Sequence, residues 1–549
     1  MKFGLPRPEG LLLLVNAGQV ATEVINITIP KGLETRILPR DVVGYSIEPT
    51  WVDTFIRNSK TATLLSAIAN ITGIAPPIRI GGNTADQTYL QDMLPSGHVS
   101  EAFSDPGTTS RFNVTRDWFR TWGDYFPPGT NFIYTLNFAD NTSSWKNAVE
   151  QAEAAYAGLG DKLSQFELGN EIDHFINKSW RPPYPSWGVA VYIEQFRNLT
   201  GQITSSAWYK QLSHPPTFQA GVIADPPLVE DQQDEIDDFS IANLTANGTG
   251  GLLERPEDRA LISSLAVHLY PQSTCDAPRW NRMRLDLLSN HSTLWLNVSQ
   301  FIPEIEAADH AGIPFIMGET NSVSCGGRSG ISDTFGAALW VVDYVLLAAS
   351  LGMQKIFFHL GAQSEYSAFT PEPYFYKNES LTAGIRATWY SHYFLAKAVA
   401  SSKNETFRIA ALPSANSSTL AGYGIYAGVT LKKLVFVDMG VWNGTKGLSN
   451  PSTISSTDGN MFSNTARSSN TLTVFTPWAV GQNVAVTRLS GPGTNSKSEI
   501  LVSGVAFDMG TGMKIGDEAS EALYVGISGQ LNISIARAEA VLLEVEQHL

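Results

Sequence analysis

Cysteine is nearly absent from this 549-residue sequence, which has only Cys275 and Cys325. Neither has the neighbours of a catalytic thiolate. In an oxidising compartment two cysteines most often pair, and two buried free thiols are the alternative. Charge is also scarce, at 16 % of residues against roughly 25 % in an average soluble protein. Its balance is −15, and no cluster of four or more Lys/Arg occurs. Such a chain repels phosphate backbones, so nucleic-acid binding is excluded and highly sulfated ligands are disfavoured. No segment has eighteen uninterrupted apolar residues, so nothing is expected to span a membrane. His-Glu-x-x-His, Walker, Gly-x-Gly-x-x-Gly and Gly-x-Ser-x-Gly motifs are missing, and the nine histidines show no ligand spacing, so no metal or cofactor is expected. A hydrophobic content of 43 % in turn excludes a disordered chain. Thirteen Trp, eighteen Tyr and twenty-six Phe supply flat apolar surface of the kind that suits sugars.

Lys2 and Arg7 precede the apolar run Leu11 to Val15, and small residues follow at Ala17, Gly18 and Ala21. Residues 1–21 therefore read as a secretory signal peptide. Asn-x-Ser/Thr occurs fifteen times, at Asn26, Asn70, Asn113, Asn141, Asn177, Asn198, Asn243, Asn247, Asn290, Asn297, Asn378, Asn404, Asn416, Asn443 and Asn532. Chance would give about a third as many, which points to a eukaryotic secretory route and a secreted, extracellular glycoprotein.

From Val42 to about Leu360 a short apolar run recurs every forty residues or so, each followed by a longer helix-like stretch such as Trp145 to Leu159 or Phe335 to Leu351. The eight runs begin near Val42, Pro77, Phe132, Ser164, Phe218, Leu265, Pro314 and Lys355. This predicts an α/β chain with a (β/α)8 TIM barrel over 39–385. Downstream, alternating runs divided by Gly, Asn, Ser and Pro turns predict a C-terminal β-sandwich over 386–549. The alternating segment within 22–38, Glu23 to Ile29, is expected to join it. The Ser/Asn/Thr-rich stretch Asn450 to Asn470 reads as a long exposed loop.

Barrel chemistry sits at the C-terminal ends of strands. Glu171 closes the fourth run in Phe166-Glu167-Leu168-Gly169-Asn170-Glu171, and Glu319 closes the seventh in Phe315-Ile316-Met317-Gly318-Glu319-Thr320. Strands four and seven face each other across a barrel mouth, where two carboxylates can converge on one bond. With these flanks the pair resembles the acid/base and nucleophile motifs of clan A retaining glycoside hydrolases. Together with Arg79-Ile80-Gly81-Gly82-Asn83 and Gly318-Glu319-Thr320-Asn321-Ser322 followed by Gly326-Gly327, the chain resembles glycoside hydrolase family 79, its β-glucuronidases and heparanases. The likeness extends from the first barrel strand through the sandwich, which in that family also takes an N-terminal strand.

The resemblance implies Glu171 as general acid/base and Glu319 as nucleophile of a double displacement, with carboxyl groups about 5 to 5.5 Å apart rather than the roughly 6.5 to 9.5 Å of inversion. It implies Asn170 on the sugar 2-hydroxyl. Tyr270 can donate to Glu319 or merely pack. His268 and His359 lie at the same level, where each taken alone is more simply a core histidine; His359 is kept as a substrate-contact candidate. Asn83, after two glycines, is a candidate for a sugar hydroxyl. In the family a Gly-rich loop after the nucleophile binds the uronate carboxylate through backbone amides. Here it contains Cys325, Gly326 and Gly327, and Ser324 and Cys325 depart from the family's Tyr-Gly-Gly-Gly. A Cys275–Cys325 bridge would then hold this loop, whereas Arg328 reads as a surface residue. The expected substrate is a glucuronic-acid-containing oligo- or polysaccharide of cell walls, trimmed by a monomeric exo-β-glucuronidase that accepts 4-O-methylation. An endo-acting heparanase-like enzyme, another clan A enzyme on a neutral sugar and a catalytically dead wall-binding protein are the rival readings.

Overall fold

The eight apolar runs form eight parallel strands that close into a barrel in sequence order: β1 (Val43–Ile47), β2 (Ile78–Ile80), β3 (Phe132–Leu136), β4 (Leu163–Leu168), β5 (Thr217–Ile223), β6 (Ile262–Leu269), β7 (Phe315–Thr320) and β8 (Lys355–Leu360). The computed structural model describes residues 23–546 apart from 106–107, 124, 140–142, 178–186, 225–238, 247–249, 377–378, 403–404, 414, 416 and 445–464. The leader over 1–21, the sequons at Asn141, Asn247, Asn378, Asn404 and Asn416, and most of the loop expected over 450–470 lie outside the described residues. Among the described residues, no helix is long and apolar enough to cross a membrane.

Successive strand residues point to opposite faces, and here the two faces differ sharply. Outward residues such as Ile78 and Ile80, Phe166 and Leu168, or Phe315 and Met317 join one continuous apolar core with the surrounding helices. The inward positions between them hold Arg79 and Glu167, both fully buried. Ile133, Ile316 and Phe357 form a small apolar cluster of their own. Polar groups thus occupy much of the barrel axis, and they must satisfy one another there.

The C-terminal part has an eight-stranded sheet and a three-stranded one. The N-terminal segment contributes to both: Val24–Thr28 runs parallel to Ser469–Phe475, and Arg36–Leu38 pairs antiparallel with Phe407–Ala411. Strands Thr430–Asp438 and Glu539–Val545 are buried on both faces, which accounts for their unbroken apolar runs. Leu434, Phe436, Val541 and Leu543 face the smaller sheet, whereas Val435, Val437, Ala540 and Leu542 join the barrel core. Helix Ala387–Val399 lies past the boundary expected at 385/386, yet it packs on the barrel helices Ser59–Thr72 and Phe335–Leu351 and completes their ring. Its nearly all-round burial reflects a place between barrel and sandwich.

Helix Phe335–Leu351 is the other buried bridge, with Asp343 in its middle. Asp343 is fully buried and accepts a hydrogen bond from Tyr423 of the sandwich (2.5 Å), while His291 Nδ1 lies 2.8 Å from its other oxygen. At the helix start, the Phe335 and Gly336 amides donate to the Ser496 and Thr494 carbonyls of a sandwich loop. A Cβ on Gly336 would lie 2.7 Å from Thr494 Cγ2, so the close approach needs glycine.

Burial pulls the His291 pKa down, but the hydrogen bond and charge of Asp343 outweigh it and leave the imidazole above its ordinary 6.5. This stabilisation is full below pH 6.5 and is lost as pH rises through the elevated folded value. Denaturant titrations from pH 6 to 9 should show that decline, and His291→Gln should remove it.

Candidate active site

Arg79 projects from the middle of β2 into the barrel axis. Its Nη2 lies 2.5 Å from Glu167 Oε1 on β4, and Nε donates to both Glu167 oxygens at 3.0 Å. Thr135 of β3 and Gln219 of β5 also donate to Glu167. The rest of the guanidinium points to the strand ends, where Nη1 donates to Ser46 Oγ (2.9 Å) and to Glu319 Oε2 (2.8 Å), and Nη2 donates to Asn170 Oδ1 (2.8 Å). One buried cation therefore connects the end of β4 to the end of β7. Its neighbour Gly81 has no room for a side chain, because a Cβ would lie 2.2 Å from Thr135 Oγ1 and 2.7 Å from Arg79 Cζ.

Glu319 ends β7 with its side chain 9 % exposed. Tyr270, just past β6, donates its hydroxyl to Oε1 at 2.7 Å; His359 Nδ1 lies 3.4 Å from Oε2 and 3.1 Å from Ser46 Oγ. Burial pushes this carboxyl upward, and Glu171 adds to that, but His359, His268 and Arg79 outweigh them and hold it below the usual value of 4.5. Burial holds His359 itself low.

Glu171 follows β4 in a left-handed backbone conformation (φ 52°), an uncommon one for a residue with a side chain. Its carboxylate is 16 % exposed, with His268 Nδ1 3.4 Å from Oε1 and His174 Nδ1 3.7 Å from Oε2. Oxygens of Glu171 and Glu319 and a nitrogen of His268 all lie within 4.8 Å of one another. Among the described residues this is the one such cluster spaced to hold a cation. Arg79 and Tyr270 already occupy the two Glu319 oxygens, so the set fits a proton-transfer and nucleophile pair better than a metal centre. The Asn170 backbone amide donates to Asp86 Oδ2 (3.0 Å), and its side-chain oxygen accepts from Arg79.

Candidate residues thus separate by place. Glu171, Glu319, Asn170, Tyr270 and His359 gather at one end of the barrel with His268, whose imidazole faces the carboxylates rather than a purely apolar core. Asn83 is exposed, and its amide donates to Glu48 Oε1, joined there by the amide of Thr84. The glycine pair before it leaves space for protein groups, since a Cβ on Gly82 would lie 2.5 Å from the Glu48 carboxyl. Burial pushes Glu48 up to about 7, with Glu319 contributing.

Cys275 and Cys325 are bonded, with Cα atoms 6.1 Å apart. The bridge extends a two-stranded contact between Gln272–Ser273 after β6 and Val323–Ser324 after β7. Cys325, Gly326 and Gly327 follow with φ of 60°, 90° and 87°, a left-handed run that only the two glycines adopt without strain. A Cβ on Gly327 would lie 2.6 Å from the amide nitrogen of Tyr366. Arg328 instead directs Nη1 toward Met283 Sδ (3.6 Å).

Arg79 and Glu167 lie inside the quoted motifs without a role assigned by them, and Ser46 and Glu48 lie outside any motif. A signal was present in Ile78-Arg79-Ile80 and Phe166-Glu167-Leu168, where opposite charges sit at single inward positions of apolar parallel strands.

The C-terminal part matches the family model "Glycosyl hydrolase family 79 C-terminal beta domain" over residues 422–542. The chain is 28 % identical over 435 residues to a β-glucuronidase of Neurospora crassa, covering 73 % of this chain and 72 % of that one. It is 27 % identical over 530 residues to a β-glucuronidase of Aspergillus niger, covering 92 % and 90 %. Among solved structures it is similar to a 4-O-α-L-rhamnosyl-β-D-glucuronidase from Fusarium oxysporum 12S, with TM-score 0.72, 23 % identity and coverage of 95 % and 100 %. A family 51 arabinofuranosidase from Xanthomonas axonopodis shares the fold at TM-score 0.57 and 11 % identity, with coverage of 96 % and 100 %.

Replacing Arg79 by Met leaves Glu167 buried and uncompensated, so chemical denaturation should show a loss of about 3–5 kcal/mol.

Proposed function

The chain belongs to glycoside hydrolase family 79, and on that premise we propose that it is a retaining β-glucuronidase that removes terminal glucuronic acid from glycans. The observation that carries the mechanism is the approach of the Glu171 and Glu319 carboxylate oxygens to within 4.8 Å. Oxygens this close suit the roughly 5 to 5.5 Å carboxyl separation of a covalent double displacement.

Glu319, held ionised and oriented by Arg79 and Tyr270, attacks the anomeric carbon. Glu171 gives its proton to the leaving glycosidic oxygen. It then takes a proton from water, which hydrolyses the glycosyl ester and frees Glu319. Partial exposure of Glu171 lets water reach it, whereas the cations around Glu319 oppose protonation of the nucleophile. Arg79 occupies Asn170 Oδ1 and leaves the Asn170 side-chain NH2 to donate to the sugar 2-hydroxyl. The left-handed Cys325–Gly327 segment offers backbone N–H groups to the uronate carboxylate, with the disulfide holding its first residue.

Action on lightly charged wall glycans rather than sulfated chains is supported by the net charge of −15. A secretory route is supported by the fifteen sequons, of which Asn26, Asn70, Asn198, Asn243 and Asn532 are exposed in the folded chain.

Aryl β-glucuronide, with and without 4-O-substitution, should be cleaved in preference to aryl β-glucoside and β-galactoside. Proton NMR should show β-glucuronate as the first product. Glu319→Gln should lower turnover by roughly four orders of magnitude or more while the variant still binds substrate. Because Glu319 is depressed below 4.5, kcat/KM should persist to pH values below that point. Initial release of the α-anomer, or a Glu319→Gln variant with parental turnover, would overturn the assignment.

A further inference from the structure

A second polar cluster lies behind the Cys325–Gly327 loop, and the reaction described above makes no use of it. Asp333 and Glu365 are buried there, 5 % and 3 % exposed, on the segments after β7 and β8. The Glu365 amide donates to the Gly326 carbonyl at 2.6 Å, and a Cβ on Gly327 would meet Glu365 Cβ at 3.0 Å. Glu365 is therefore in direct contact with the loop, and the next residue, Tyr366, has its ring 6.2 Å from that of Tyr270.

The cations that balance these acids come from elsewhere. Lys497 belongs to the sandwich, on the loop whose Thr494 and Ser496 carbonyls dock on the start of helix Phe335–Leu351. Its ammonium lies 2.7 Å from Asp333 Oδ2 and donates to Ser329 Oγ at 2.6 Å. Arg386, at the head of the last barrel helix, lies 4.0 Å from Glu365 Oε2 and donates to Tyr374 and Thr370. Asp333 Oδ1 accepts from the Gly330 amide at 2.8 Å, closing the turn that leads out of the loop.

We infer that Lys497, supplied by the sandwich, is a positioning residue for the substrate's carboxylate: through Asp333, Ser329 and Glu365 it fixes the Cys325–Gly327 loop and places positive charge behind it. This rests on the glucuronidase reading. Burial and the Asp333 charge push Glu365 up to about 7, so below neutrality two cations, Lys497 and Arg386, face one carboxylate, Asp333. The cluster is then net positive on the side of the loop opposite a bound anion. As pH rises through about 7, Glu365 ionises, the excess disappears and an anionic sugar is held less well.

The test uses the full-length enzyme with aryl β-glucuronide. Lys497→Met should raise KM by about tenfold while kcat changes by less than about threefold, and Lys497→Arg should restore most of the loss. In the parent, KM should climb above pH 7, and Glu365→Gln should remove that climb. Should Lys497→Met fail to fold, Lys497→Gln, which keeps a hydrogen-bond donor to Asp333 and Ser329 but removes the charge, carries the same expectation. An unchanged KM, a loss confined to kcat, or no recovery with arginine would overturn the positioning role while leaving the glucuronidase reading intact. If the parent instead cleaves aryl β-glucoside with a KM no higher than for glucuronide, the carboxylate-reading premise fails, and this inference with it.

Discussion

A guanidinium buried in the axis of a barrel is the constraint on which the site depends. Taking Arg79 out of water is costly, and only anions with good geometry offset it. Glu167 supplies one such anion from within the barrel and Glu319 the other at its mouth. Strands β2, β4 and β7 are thereby tied to one charged group, and Asn170 is oriented by the same fork. The missing side chain at Gly81 follows from the same crowding.

That arrangement also gives two carboxylates of like chemistry two different environments. Glu171 stands close enough to raise the proton affinity of Glu319. Glu319 is surrounded by Arg79, His268, His359 and the Tyr270 hydroxyl, which favour the ionised form despite burial. Glu171 stands at the rim with partial access to solvent, held at an angle set by its left-handed backbone. Opposed environments around neighbouring acids are how one site can hold a proton donor and a nucleophile at the same pH.

The sandwich reaches this chemistry through helix Phe335–Leu351. Its middle is tied to the sandwich through Asp343 and Tyr423, and its start receives the Thr494–Lys497 loop immediately beyond the glycine-rich segment. Glycines at 326 and 327 let that segment turn against Glu365 and Tyr366. The disulfide fixes its other end to the segment after β6. Domain packing and the glycine-rich segment beside the carboxylates therefore share residues.

The eight barrel strands were legible because each is a short apolar run ending in Gly, Asn or an acid, and their observed limits differ from those runs by only a few residues. Sandwich strands Leu420–Ala427 and Asn483–Ser490 were legible from alternation. Strand Gln530–Ala536 carries the same signal in Leu531, Ile533 and Ile535, whereas Phe407–Ala411 is short and lacks clear alternation. Helix Ala387–Val399 straddles the junction, and a helix buried between two layers has no polar face to mark which layer it serves. By itself the sequence determined the strand count, the Glu171 and Glu319 positions and the glycines near each, since backbone periodicity and strand-end chemistry are local properties. Only the tertiary structure decided that Arg79 joins the two ends, that Asn83 holds Glu48, and that Lys497 stands behind the loop. These contacts join residues as many as 240 positions apart, and charge pairing across such separations is set by the closure of the barrel and the docking of the sandwich.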